Sequence, residues 1–193
     1  GIKLAYAEGV DAETLLALRM ALAMPFYLVV GVLAVRERTR RDEALPERRL
    51  VVRAGLVGVL GYWFASYTDF LGLEFISAQF ERLILFTYPL FTVIFGALFF
   101  VQRVRRRALF AFVFSYAGLA LVFSNAREEA GNAVALGAGL VLAAAIAFAM
   151  YQLLAKSVIA SIGPRLFTCI AMGAAAVVAI GQFFLTHPPG DLL

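Results

Sequence analysis

An all-α polytopic membrane protein of about six spanning helices is what this sequence predicts, and three observations carry the prediction. Apolar residues make up 63% of the 193 residues and charged residues only 16%. A soluble domain carries roughly a quarter charged and about half apolar residues, so this chain could not cover a soluble fold with polar groups. The apolar residues also fall into long runs, with the arginines gathered in the breaks between them. Mean hydropathy is +0.88. A soluble enzyme, a disordered chain and a disulfide scaffold are excluded on the same grounds.

Stretches free of Asp, Glu, Lys and Arg cover residues 20–35, 54–68, 83–102, 108–126, 130–155 and 166–190. A spanning helix needs about 20 mostly apolar residues. The first two runs reach that length once Arg19 and Asp69 are taken inside the helix ends. Spans are therefore expected near 15–35, 54–72, 78–101, 107–125, 133–154 and 166–186. They are helices because lipid leaves the backbone of an open sheet unsatisfied. They also lack the alternation of barrel strands. Residues 1–13 show no basic region followed by an apolar core, so no secretory signal is read there. Residues 1–7 read as the tail of an apolar helix.

Orientation follows from charge. With alternating spans, 13 of the 17 basic residues fall on one side, in the breaks 36–53, 102–107 and 155–165. The positive-inside rule assigns those three segments to the cytoplasm of a multi-pass protein in a cell (plasma or inner) membrane. The formal charge of +4 is thereby explained by the lipid bilayer, with no nucleic-acid partner. The 36–53 segment (RERTRRDEALPERR at its centre) reads first as a solvated topogenic loop and second as a lipid-binding or regulatory patch. Cys169 is the one cysteine, which excludes an intrachain disulfide. His187 is the one histidine and has no partner at zinc-binding spacing. No metal, cofactor or enzymatic role is therefore expected.

Charged groups inside spans are costly and kept where they meet a cavity or a partner. Gly58, Tyr62, Ser66 and Asp69 recur at intervals of four, four and three, which is one face of an α-helix. Glu81, Tyr88, Thr92 and Gly96 recur at seven, four and four on the next span. Two adjacent antiparallel helices thus each carry a polar stripe. The stripes either face a water-filled substrate pocket or hydrogen-bond between helices, with charges at the helix ends reaching to water. Arg82, adjacent to Glu81 but about 100° round the helix, either pairs with Asp69 or Glu74 or holds a substrate carboxylate. Tyr151 either lines a pathway or anchors at the interface. Pro25 and Pro89 lie inside spans, where proline bends a helix; Pro89, directly after Tyr88, is the stronger hinge candidate. Glu81 and Asp69 are candidate proton carriers. Gly137, Gly139, Gly173 and the alanines around them predict close helix packing.

Residues 71–124, LGLEFISAQFERLILFTYPLFTVIFGALFFVQRVRRRALFAFVFSYAGLALVFS, resemble the EamA family of the drug/metabolite transporter superfamily. The matching positions are Leu73, Phe75, Ser77, Ala78, Pro89 and Gly118; residues 137–172, with Gly137, Ala147 and Tyr151, resemble the opening of that family's second repeat. Where the family often has Gly-Glu after the third helix, this chain has Val101, Gln102 and Arg103. The resemblance implies part of a ten-helix fold of two inverted five-helix repeats. Residues 1–126 would hold the first repeat without most of its first helix, and residues 127–193 the start of the second. Helices eight to ten would lie outside the sequence. It further implies a carrier moving small-molecule substrates (amino acids, amines or related polar solutes) by alternating access. The other class left open is a non-transporting membrane assembly subunit. A homodimer is left open as well.

Overall fold

A computed structural model describes residues 11–100 and 106–186, excepting the side chains of 100, 106–109, 111, 119 and 122–132. The expected helix tail at 1–7, the first part of the basic 102–107 turn and His187 lie outside the described residues. The described residues are helical throughout, with no strand among them. They form α1 (Ala12–Arg40), α2 (Arg48–Gly58), a π-helical segment (Val59–Phe64), α3 (Ala65–Phe75), α4 (Ala78–Leu85), α5 (Tyr88–Phe100), α6 (Arg106–Ile162) and α7 (Pro164–Thr186). Five stretches among the described residues are long and apolar enough to cross a membrane: Ala12–Arg40, Arg48–Phe75, Ala78–Phe99, Ala133–Ile162 and Pro164–Thr186. Large apolar side chains stay exposed along them, Phe26 at 75% and Leu22 at 65% on α1. Lipid is the solvent that accepts such a face.

Local chemistry sets the boundaries. Asp11 caps α1 by accepting from the Thr14 amide at 3.3 Å, and Ser77 caps α4 by accepting from the Phe80 amide at 3.2 Å. Each satisfies one of the orphan donors of a first turn. Gly163, at φ +82°, ends α6 in the left-handed region that favours glycine. Pro164 then starts α7, where its missing N–H has no helical partner to lose. α1 runs unbroken through Pro25, so this proline does not interrupt its helix. The break falls at Phe86 and Thr87, between α4 and α5, and Pro89 follows in the first turn of α5.

The expected outer loop at 126–132 is replaced by helix: α6 carries both of the apolar runs that the sequence divides there. The segment reads Ala-Arg-Glu-Glu-Ala-Gly-Asn, and its first five residues are good helix formers. Yet α6 is not one straight rod. Tyr116 and Ala120 line the same cavity as Ala135, Ala138, Gly139 and Leu142. On a straight helix Tyr116 and Leu142 would stand about 39 Å apart at 1.5 Å per residue. The chain therefore bends sharply between Ala120 and Ala135, and the return made by the bend takes the place of the loop.

Two compact units emerge: Ala65–Leu153, and the described parts of Leu4–Phe64 with Leu154–Leu193. In the first, Ile76, Phe80, Ile84, Val134 and Val141 form a buried cluster. Gly72 and Gly137 approach reciprocally: a Cβ on either would stand 3.0 Å from the other's carbonyl oxygen. In the second, α7 packs on α1 and α2. A Cβ on Gly31 would collide with the Cys169 side chain, and one on Gly58 with the Ala171 backbone. Apolar lipid gives helices little hydrophobic reason to associate, so such backbone-close contacts supply the packing energy. Gly137 fulfils the packing role expected of it. Gly139 and Gly173 do not, since nothing lies within 4 Å of a Cβ at either.

Candidate functional site

In the unit Ala65–Leu153, the turn at Ile76 and Ser77 sends α4 back along α3. That return brings two carboxyl groups together, those of Glu81 and Asp69. Glu81 is only 6% exposed, and one carboxyl oxygen of Asp69 is fully buried. Arg82, the next residue, is exposed, as the 100° step predicts. Glu74 is exposed too.

Beyond the pair, the helix break exposes a change of surface. Thr87 is 3% exposed and turns its hydroxyl onto the Ile84 carbonyl at 2.6 Å. Tyr88 then opens α5 and sets its ring edge-on to Phe148, centroids 5.2 Å apart; Phe148 stacks on Tyr151 at 5.6 Å. Tyr88 and Tyr151, named separately in the sequence, are therefore ends of one aromatic ladder whose middle member, Phe148, carried no sequence signal. Thr92 donates its hydroxyl to the Tyr88 carbonyl at 3.0 Å, which leaves the oxygen's lone pairs, and no donor, for a solute. Ser66 is half-buried one turn before Asp69 on α3.

Tyr62 stands differently. It lies in the π-helical segment, where i→i+5 bonding widens each turn. Gly58 serves close packing against α7.

A second polar group was not legible. In the unit containing α1, α2 and α7, Trp63 Nε1 donates to Gln182 Oε1 at 2.8 Å, and Gln182 Nε2 donates to Glu13 Oε1 at 3.0 Å. Gln182 thus joins α1, the π segment and α7 through both ends of one amide. Its partners are 119 and 169 residues away, a separation no local pattern encodes.

The family model for the EamA-like transporter family matches residues 2–124. The chain belongs to the EamA-like transporter family. A Bacillus subtilis (strain 168) protein named "Uncharacterized transporter YcbK" is 28% identical over 174 residues, which cover 90% of this chain and 54% of that relative. The chain thus spans about half the length of the relative. No solved structure matches it significantly. Membership of the EamA-like transporter family makes this a multi-pass membrane protein of transporter type.

Proposed function

We propose that the full-length protein is a carrier that moves small polar solutes, such as amino acids or amines, by alternating access through a cavity lined by Ser66, Asp69, Glu81, Tyr88, Thr92 and Tyr151. The observation that carries this reading is the buried Glu81 beside the half-buried Asp69. Placing carboxyl groups side by side in two adjacent apolar spans is expensive, and packing alone gives no reason for it. A site that takes up a proton or a cationic amine does. The ladder Tyr88–Phe148–Tyr151 supports the reading, because aromatic faces attract ammonium groups. Arg82 supplies the opposite charge at the exposed side of α4, suited to a solute carboxylate. Pro89 with the Phe86–Thr87 break serves as the hinge. Pro25, inside an unbroken helix, has the weaker claim.

In this reading the basic segments 36–53, 102–107 and 155–165 face the cytoplasm, and residues 1–126 and 127–193 derive from successive repeats. The test is flux. Full-length protein in liposomes should take up a labelled amino acid or amine saturably, and excess unlabelled solute of the same class should suppress it. Monodisperse protein with no flux for any polar class would move the assignment to a non-transporting assembly subunit.

A further inference from the structure

At the ends of α1 and α7 that the arginine distribution assigns to the cytoplasm lies a cavity of about 300 Å³ that the transport reading does not use. Arg38, Arg41 and Arg165 line it with Glu37 and Glu43, while Ala34 and Leu166 add an apolar wall. We propose that this cavity binds the phosphate of an inner-leaflet phospholipid and selects anionic head groups.

The fold assembles the rim from distant parts of the chain. The left-handed Gly163 turns α6 into α7 and sets Arg165 beside α1. Arg38 Nη1 donates to the Ile162 carbonyl at 3.2 Å, tying α1 to that turn. Asp42, at φ +53°, reverses the chain after α1, and Glu43 meets Arg38 Nε at 3.2 Å. Glu37 accepts from Arg41 at 2.6 Å through one oxygen and from Arg165 at 3.0 Å through the other. Three guanidinium groups thus share two carboxylates, and one positive charge is left over. Arg41 and Arg165 each give one nitrogen to Glu37, out of five N–H donors per guanidinium. Their side chains are 64% and 70% exposed. Those donors match phosphate oxygens, which arginine binds as a fork.

A lipid fits better than a soluble phosphate for two reasons. The cavity is part polar and part apolar, as a head group joined to a glycerol backbone requires. It also sits where positively charged helix ends meet the anionic leaflet.

The test is native mass spectrometry of the full-length protein titrated with phosphatidylglycerol, with phosphatidylcholine of the same acyl chains, and with inorganic phosphate. Phosphatidylglycerol should bind more tightly than phosphatidylcholine by on the order of 5-fold or more, the usual effect of a basic residue at an anionic surface. R41Q and R165Q should each reduce that preference about 5-fold. R48Q and R49Q make the same charge change outside the cavity lining and should preserve it. Equal binding of the two lipids by the unmodified protein would overturn the proposal without any variant. So would equal loss in R48Q or R49Q, because the effect would then be diffuse surface charge. Displacement of phosphatidylglycerol by millimolar inorganic phosphate would assign the cavity to a soluble anion and likewise overturn it.

Discussion

Gly58→Ala should destabilise the protein by about 3 kcal/mol, although glycine-to-alanine within a helix ordinarily gains close to 1 kcal/mol. The sign is reversed by what the new Cβ meets. At Gly58 it collides with the Cα, carbonyl carbon and oxygen of Ala171, and backbone cannot rotate aside as a side chain does. α2 and α7 would have to separate, and the packing that holds them in lipid would go with the separation. Gly139→Ala is the matched control, since a Cβ there has nothing within 4 Å. Thermal unfolding in detergent should show a fall of about 6–12 °C for Gly58→Ala, and no fall for Gly139→Ala. Equal behaviour of the two would mean that α2 and α7 are not in backbone contact.

Glu81→Gln should sharply reduce proton-driven uptake while leaving solute exchange at equal pH. The amide matches the carboxyl in shape, so the fold around α3 and α4 survives. What it lacks is a proton to gain and lose. If the Asp69–Glu81 pair couples proton to solute, uptake driven by a pH gradient should fall by about 5- to 150-fold, the span of a typical coupling free energy. Exchange, which needs no net proton movement, should persist. Loss of both would place Glu81 in solute binding. Retention of both would remove the pair from the mechanism.

The sequence was most readable where one residue type dictates a local outcome. Spans and their ends follow from apolar runs and arginines, and the break near Pro89 follows from proline chemistry. The burial of Glu81 beside Asp69 was approachable because a short turn joins their helices. Three things escaped. The helix through 126–132 was missed because its charged residues break the apolar pattern and read as a loop, although most of them are good helix formers. The π segment that holds Tyr62 was not foreseen, since spacing arguments assume a constant 3.6 residues per turn. The Trp63–Gln182–Glu13 chain depends on tertiary contact alone, and nothing local names the partners of Gln182. Gly58 was picked out for its spacing and turned out to matter for its missing side chain.

The central claim is that the polar groups of α3 to α5 border a water-filled path rather than a dry helix interface. Cysteine accessibility tests it most directly. In a Cys169→Ala background, Tyr88→Cys, Phe86→Cys and Glu43→Cys in the full-length protein would be exposed to a membrane-impermeant maleimide in native membranes opened to both sides. A water-filled path predicts that the cysteine at position 88 reacts on the timescale of the polar loop position 43. The cysteine at position 86, whose phenylalanine is 69% exposed on an apolar span, should stay unlabelled in lipid. Equal resistance at positions 88 and 86 would contradict the account and leave the polar stripe as interhelical packing.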